Sequence, residues 1–273
     1  MSSALAAQQD TTRPKATQKI GWQIITDNGE FSFAMPQGYE SFSDGGYTMG
    51  TGISVKRHIT VTRPINGVFL MVEFYEGNVK DILKELTFRL TKGEEAYQLS
   101  KDTVVGEMSE KEYRHNKNGY LSIQQFYLSK KKLYIVRTIA KDEKSAILEG
   151  FLNAAQPGGA RTVATLPAAI EEILPLKDEE PLKGDPDRGI VILYKPRPAY
   201  TPEARAYGVT GEVVLNVLFA ANGKITKAEP VSGPKELWKS STDAAARIRF
   251  LPAEKDGKLV SVWKKISYSF SIY

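Results

Sequence analysis

The sequence of 273 residues contains no cysteine, and that absence removes several classes of chemistry. Without cysteine the chain can form no disulfide and offers no thiolate nucleophile, no cysteine zinc site and no sulfur for a lipid anchor. Histidine is scarce as well, since His58 and His115 are the only two and neither stands in a metal-binding motif. We therefore expect neither a metal site nor a cofactor.

Long apolar runs are also missing from the sequence. No stretch approaches the roughly 18 consecutive apolar residues that can cross a bilayer as a helix, so the sequence predicts no membrane span. A composition of 41% hydrophobic and 25% charged residues is typical of globular proteins, and the length allows two domains.

The N-terminus carries the tripeptide Ala4-Leu5-Ala6, a pattern at which many secretory signals are cleaved. The charged and apolar segments that precede this pattern in a complete signal are missing. The tripeptide is therefore either the end of a signal peptide or a chance product of an alanine-rich tail. In both cases residues 1–17 are predicted to be a disordered tail.

A change of composition divides the rest of the chain. Residues 156–188 contain five prolines and a glycine pair and interrupt every periodic pattern. They are predicted to be a linker between a domain at residues 18–155 and a domain at residues 189–273. Within this segment Ile170 and Ile173 have helical spacing, which predicts a short helical turn over residues 168–174.

The N-terminal region alternates apolar and polar residues as a sheet does. The stretch "GEFSFAMPQGY" places Phe31, Phe33 and Met35 on one face, and "GVFLMVEFYE" is apolar on both faces, as in a covered central strand. Amphipathic helices are predicted from Val79 to Leu90 and within "DEKSAILEGFLNAA". These features predict an α+β fold, with an antiparallel sheet sandwich and covering helices. The outline resembles the PsbP/Mog1-like sandwiches through "GEFSFAMPQGY" and "LYIVRTIAKDEKSAILEGFLN", a resemblance that implies no activity.

No stretch of the N-terminal region forms a recognisable catalytic motif. The glycine-rich stretch Gly45–Gly52 lacks the Gly-Lys-Ser/Thr ending of a phosphate-binding loop and is predicted to be a hairpin or loop. We therefore predict that the protein is not an enzyme. The competing hypothesis is that this domain binds or converts a small ligand in a polar pocket, with the C-terminal domain as a tether. This hypothesis requires a deep pocket lined by convergent polar groups such as Arg57, His58, Glu73 and Tyr75.

The C-terminal region is predicted to form a ββαβ unit. A strand begins at Gly211, and Asn222-Gly223 forms the tight turn to a return strand. An amphipathic helix follows in "GPKELWKSSTDAAARIRF", and Asp256-Gly257 forms a second turn before the last strand. In that strand, apolar residues alternate with polar ones and face one side: Ile266, Tyr268, Phe270 and Ile272.

This order of elements, with these residues, closely resembles the C-terminal domain of TonB, the periplasmic energy transducer of Gram-negative bacteria. The resemblance spans residues 195–273 and rests on "PAYTPEAR", "GVTGEVVLNVLFAANGKI" and "AAARIRFLPAEKDGKLV". The positions that carry the family pattern are Pro198, Tyr200, Gly211, Gly223, Phe250, Pro252 and Gly257. The resemblance implies a docking domain in the periplasm, to which an extended peptide of an outer-membrane receptor or other envelope protein adds as a strand.

In this topology the last strand lies beside the first, so the last strand and the return strand form the two edges. Pro230 blocks pairing near the end of the return strand, and the last strand contains no proline, so the last strand is the predicted partner-binding edge. The predicted contact residues are Trp263, Lys264, Lys265, Ser267, Ser269 and Ser271. The apolar residues of the same strand are expected to fill the core.

Alternatives remain for the partner of this domain. The last strand could pair with its own copy in a homodimer. Residues 189–273 carry 13 basic against 7 acidic side chains, but these are interleaved, so no nucleic-acid binding is expected. The sequence also departs from a full TonB, because these 273 residues contain neither its membrane helix nor its long proline-rich spacer. Energy transduction by this chain alone is therefore not expected.

Overall fold

The structure, a computed structural model, describes residues 17–48, 54–92, 96–117, 119–141, 143–158, 169–173 and 180–272. The protein is α+β, as the sequence predicts. Most of the predicted tail, including Ala4-Leu5-Ala6, and the end of the glycine-rich stretch lie outside the described residues. Within the described residues, no helix is both long enough and apolar enough to cross a bilayer.

The N-terminal region consists mainly of strands. They are β1 (Thr17–Ile20), β2 (Trp22–Asp27), β3 (Phe31–Pro36), β4 (Glu40–Thr48), β5 (Ser54–Val61), β6 (Val68–Glu76), β7 (Gln98–Val105), β8 (Met108–Lys117), β9 (Tyr120–Leu128), β10 (Lys132–Ala140), β11 (Gln156–Pro157) and β12 (Ile170–Ile173). The helices of this region are α1 (Val79–Thr91) and α2 (Ala146–Ala154).

The C-terminal region is smaller and begins with an extended segment. Its strands are β13 (Val191–Tyr194), β14 (Gly211–Phe219), β15 (Ile225–Ser232), β16 (Arg249–Leu251), β17 (Ala253–Lys255), β18 (Lys258–Val260) and β19 (Val262–Phe270). Its helices are α3 (Pro202–Ala206) and α4 (Trp238–Ala246), and a 3₁₀ turn (Lys235–Leu237) precedes α4.

A seven-stranded antiparallel sheet forms the centre of the N-terminal region, in the order β4-β5-β6-β10-β9-β8-β7. Strand β6 pairs with β5 and β10, and all its side chains from Val68 to Glu73 are buried. This confirms the central, covered strand predicted from "GVFLMVEFYE". Strands β9 and β10 form a hairpin, closed by a hydrogen bond from the Ser129 N–H to the Lys132 carbonyl at 2.9 Å.

One face of the large sheet is covered by the three-stranded sheet β11-β3-β2 and by α2. Phe31 of β3 lies in this core, with its ring centre 4.5 Å from that of Tyr134 and 5.0 Å from that of Tyr127. Helix α2 adds Ile147, Leu148 and Phe151. These layers form the predicted sandwich with a covering helix.

The opposite face of the large sheet is covered in two places. Helix α1 packs its apolar side on β6, β9 and β10 around Tyr75. A second apolar patch lies on β5 and β6 and meets β13 of the C-terminal region. It is formed by Ile59, Val61, Phe69 and Met71. The C-terminal region therefore packs directly on the N-terminal sheet.

The described residues of segment 156–188 include two short strands. Strand β11 pairs with β3, and β12 pairs with β1 over four residue pairs. The helical turn predicted over residues 168–174 is wrong, because residues 170–173 are extended. Ile170 enters the N-terminal core and Glu172 is buried beside Arg63, whereas Glu171 between them is exposed. Strand alternation, not helical spacing, places these side chains.

The C-terminal region contains the predicted ββαβ unit. Its main sheet is antiparallel in the order β15-β14-β19, which confirms that the last strand lies beside the first. The predicted turn at Asn222-Gly223 is present, and there the Gly223 N–H donates to the Ala220 carbonyl at 3.0 Å. Helix α4 packs on β14 and β15 and buries Ala244 and Ala245.

Candidate functional site at the edge of the C-terminal sheet

The core of the C-terminal region holds β19 in place. The alternate side chains Ile266, Tyr268 and Phe270 are buried with those of β14, which confirms their predicted core role. Nearby, the rings of Phe219 and Phe250 meet edge to face with their centres 4.7 Å apart. Ile272, predicted to belong to the same apolar row, lies beyond the end of β19 and is 45% exposed. The core therefore uses one side of the strand and leaves the other side to solvent.

The free edge of β19 presents backbone groups that β14 does not use. The two strands pair over nine successive residues, from Phe219 with Val262 to Gly211 with Phe270, without a register shift. The Ala220 N–H donates to the Lys224 carbonyl on the β15 side. Because backbone groups alternate along a strand, the even-numbered residues of β19 then face β14 and the odd-numbered ones face outward. The outward set is Trp263, Lys265, Ser267 and Ser269.

The other edge of the same sheet is protected. The pairing of β15 with β14 contains two register shifts, and Pro230 lies opposite Leu215. By the same alternation the nitrogen of Pro230 faces the free side of β15, where it offers no N–H. Prolines and bulges both hinder the pairing of another strand with an edge. Strand β19 has neither over Val262–Phe270, so of the two edges of this sheet β19 is the regular one.

Comparison with known proteins identifies the C-terminal region. Residues 196–272 match the profile of the family described as Gram-negative bacterial TonB protein C-terminal. These residues are a TonB C-terminal domain. Among solved structures, the chain is similar to the solution NMR structure of the Pseudomonas aeruginosa TonB C-terminal domain, with 26% sequence identity, a TM-score of 0.27 and coverage of 32% of this chain and 89% of that chain. No curated protein matches the chain.

The TonB C-terminal family is a non-enzymatic transport and interaction family. That assignment concerns the C-terminal domain alone. Neither the fold nor the comparisons support the homodimer considered from the sequence.

The residues that carry the family pattern shape the TonB C-terminal domain. The ring of Tyr200 packs edge to face on that of Phe270 at 5.3 Å. Phe250 and Pro252 are buried, and Pro198 is half-buried in the extended segment before α3. Three glycines have the positive φ angles that favour glycine: Gly211 (137°), Gly223 (75°) and Gly257 (72°). The role of these seven positions in the family pattern stays a prediction.

The predicted contact residues lie along β19 or just beyond it. Trp263 is 38% exposed and stands opposite Leu218, and Lys265, Ser267 and Ser269 are exposed on the same outer face. Two predicted residues do not belong to the outward set. Lys264 is exposed but has an even number, so its backbone faces β14, and Ser271 follows the end of the strand. The role of all six in partner binding stays a prediction.

One residue at this edge was missed by the sequence reasoning. Lys195, directly after β13, donates from Nζ to the backbone carbonyl of Ser267 at 2.7 Å. The same nitrogen lies 4.7 Å from the ring centre of Tyr268. A donor on the Ser267 carbonyl agrees with the outward direction inferred for that residue. No sequence signal marks this contact, because the two residues are 72 positions apart.

Ion pairs connect the TonB C-terminal domain to the N-terminal region. Arg249 contacts Glu40 at 2.5 Å, and Lys141 contacts Glu254 at 2.8 Å. Arg188, at the end of the segment between the two domains, also contacts Glu254, at 3.0 Å. Hydrogen bonds from Lys141 and Arg188 lower the pKa of Glu254, so this carboxylate stays charged in the contact. Together with the apolar patch on β5 and β6, these pairs give the two regions a mixed apolar and charged interface.

The pocket of the competing hypothesis is not assembled from its four residues. Glu73 is buried, accepts from the Tyr75 hydroxyl at 2.8 Å and lies 3.9 Å from Arg57 and 3.3 Å from Arg137. Burial and the Glu73 carboxylate raise the pKa of Tyr75, which therefore stays protonated. His58 lies on the opposite face, where its ring stacks on a phenylalanine. The described residues contain no group of three or more His, Cys, Asp or Glu side chains that could hold a metal ion.

Proposed function

We propose that this protein works in the periplasm of a Gram-negative bacterium, where its TonB C-terminal domain binds an extended segment of an outer-membrane receptor or another envelope protein. The segment adds to the sheet as a strand beside β19 and links the protein to energy-coupled transport. The family match at residues 196–272 supports the domain type. The observation that carries the proposal is the unbroken edge of β19, in a sheet whose other edge is protected by Pro230 and two register shifts.

Strand addition would draw its affinity from the backbone of β19. Each residue of the outward set directs one N–H and one C=O away from β14, and a hydrogen bond to such a group contributes about 0.5–1.5 kcal/mol net. Of these groups, the Ser267 carbonyl already accepts from Lys195. Selectivity would come from side chains, because those of the added strand lie beside Trp263, Lys265 and their neighbours on the outer face. This kind of recognition requires no catalytic group, in keeping with the absence of catalytic motifs in the sequence.

The test compares three forms of the full-length chain: wild type, Ser269→Pro and Ser269→Ala. Each is immobilised and offered detergent-solubilised outer-membrane proteins of the source organism. Proline at this position removes an outward N–H and leaves the hydrogen bonds to β14 in place, whereas alanine removes only the hydroxyl. We expect an outer-membrane receptor to bind wild type and Ser269→Ala and to be lost from Ser269→Pro.

Hydrogen exchange on the captured complex then locates the contact. Residues 263–269 should become protected, while exchange along β15 stays unchanged. Circular dichroism establishes that Ser269→Pro is folded. Equal capture by all three folded proteins, capture by none of them, or protection confined to β15 would each refute docking at β19.

A further inference from the structure

Lys195 occupies part of the edge at which a partner strand would add. Its amine donates to the Ser267 carbonyl at 2.7 Å and lies over the face of Tyr268. We propose that Lys195 guards the free edge of β19 and makes that edge selective for acidic extended peptides. This inference rests on the proposed function, because it concerns how the same edge accepts its partner.

The contact lies in the middle of the outward set. Ser267 is the third of its four residues, with Lys265 before it and Ser269 after it. An added strand pairs with every outward residue in turn, so it needs the Ser267 carbonyl as an acceptor. A peptide must therefore displace the Lys195 amine before the ladder of hydrogen bonds can be complete.

The backbone of Lys195 is held close to the edge. The preceding strand β13 pairs with β16, and Tyr194 packs against Phe42 of the N-terminal region with ring centres 5.8 Å apart. Pro196 follows and is buried, which restricts the chain on the other side. Because both neighbours are fixed, a displaced amine stays within a side-chain length of the bound peptide. The N-terminal region thereby contributes to the position of the guard.

The displaced amine needs a new acceptor, and the surrounding charge favours an acidic one. Lys264 and Lys265 on β19 are exposed, and neither forms an ion pair with another described residue. The nearest acid on the outer face of β14 is Glu212, which stands opposite Ser269 at the far end of the edge. A peptide carboxylate on the face that carries Tyr268 and Lys264 would form charge-assisted bonds with Lys195 and Lys264, whereas one on the other face would lie beside Lys265. A neutral peptide would displace Lys195 without this compensation.

The test uses two synthetic eight-residue peptides of alternating valine and polar residues. The polar residues are glutamates in one peptide and glutamines in the other, and the dissociation constants are measured with full-length protein. The variants are Lys195→Met, which keeps an unbranched side chain over Tyr268 but donates no hydrogen bond, and Lys264→Met, which removes a charge without freeing a carbonyl. In the free proteins, the NMR shift of the Ser267 carbonyl carbon should change in Lys195→Met only.

We expect the glutamine peptide to bind Lys195→Met roughly fivefold to tenfold more tightly than wild type, since one hydrogen bond no longer has to be broken. The preference of wild type for the glutamate peptide should shrink in the same variant. In Lys264→Met, binding of the glutamate peptide should weaken while binding of the glutamine peptide stays the same.

The outcomes separate the two proposals. If the glutamine peptide binds wild type and Lys195→Met equally, or if the Ser267 carbonyl shift does not change, the guard is refuted while strand addition stands. If neither peptide binds wild type or Lys195→Met, strand addition itself fails and the guard fails with it.

Discussion

Replacement of Glu172 by alanine should loosen β12, the strand that holds the segment between the two domains against β1. Glu172 is buried and accepts from both terminal nitrogens of Arg63. Its side chain is 6% exposed and that of Arg63 is 23% exposed, so the pair lies between the buried and the surface cases.

The expected loss of unfolding free energy in Glu172→Ala follows from the partial burial of this ion pair. Removal of one partner from a fully buried pair costs about 3–5 kcal/mol, whereas an exposed pair contributes only about 0.2–1 kcal/mol. After the substitution Arg63 keeps some contact with solvent and a second acceptor, the Pro64 carbonyl at 3.3 Å. We therefore expect Glu172→Ala to lower the free energy of unfolding by about 2 kcal/mol, which makes opening of β12 roughly 30-fold more frequent.

The neighbouring residue provides a matched control. Glu171 is exposed on the same short strand, and Asn66 donates to its backbone carbonyl at 2.7 Å, a bond that alanine preserves. Glu171→Ala should change the free energy of unfolding by less than about 0.5 kcal/mol. Guanidinium unfolding measures the global effect, and hydrogen exchange of residues 17–20 and 170–173 measures the local one. Equal losses in the two variants, or unchanged exchange in Glu172→Ala, would refute the reasoning.

Two further predictions concern a buried carboxylate and a close backbone approach. Burial would raise the pKa of Glu112, but hydrogen bonds from Arg114, Gln125 and Ser100 outweigh it and lower the pKa overall. The ionised carboxylate therefore stabilises the folded state above the unfolded-state pKa, and this contribution is lost as pH falls through the folded-state pKa. Glu112→Gln should therefore lower the free energy of unfolding, measured with urea, by about 1–3 kcal/mol at pH 7. The difference in unfolding free energy between variant and wild type should disappear in acid, and a difference independent of pH would contradict this reasoning. At Gly233 an added Cβ would lie 2.3 Å from the Glu212 carbonyl oxygen, whereas at Gly257, which also has positive φ, it would meet nothing within 4 Å. Gly233→Ala should lower the unfolding free energy by more than about 3 kcal/mol and Gly257→Ala by about 1–2 kcal/mol. If the two substitutions lowered the melting temperature equally, the contact with the Glu212 carbonyl oxygen would not be the cause.

The features that could be predicted from the sequence are those encoded within a few neighbouring residues. The alternation at Phe31, Phe33 and Met35 and the turn at Asn222-Gly223 each depend on local periodicity or on one φ angle. The TonB C-terminal domain could be identified because such local signals follow one another in a fixed order over residues 196–272. The outward set also follows from alternation once the partner strand of β19 is known.

The features that could not be predicted depend on residues that are distant in sequence. Strand β12 is extended and its Glu172 carboxylate accepts hydrogen bonds from Arg63, 109 positions away, whereas the spacing of Ile170 and Ile173 suits a helix equally well. The contact between Lys195 and Ser267 has the same origin, since it depends on where β13 docks. The position of His58, by contrast, follows from a local rule, because adjacent residues of a strand face opposite sides of the sheet and its neighbour Arg57 lies beside Glu73.

The two edges of the C-terminal sheet avoid unwanted strand pairing in different ways. A regular edge of nine paired residues invites association with any extended chain, and β15 avoids this permanently through Pro230 and its register shifts. The same devices on β19 would also exclude a partner, because a proline or a bulge cannot be removed when the partner arrives. The side-chain amine of Lys195 hinders nonspecific strand pairing at the Ser267 carbonyl, but a partner strand can displace it. An edge that must stay unpaired in the free protein and pair in the complex therefore requires a removable guard, and β19 is the edge of this sheet that has one.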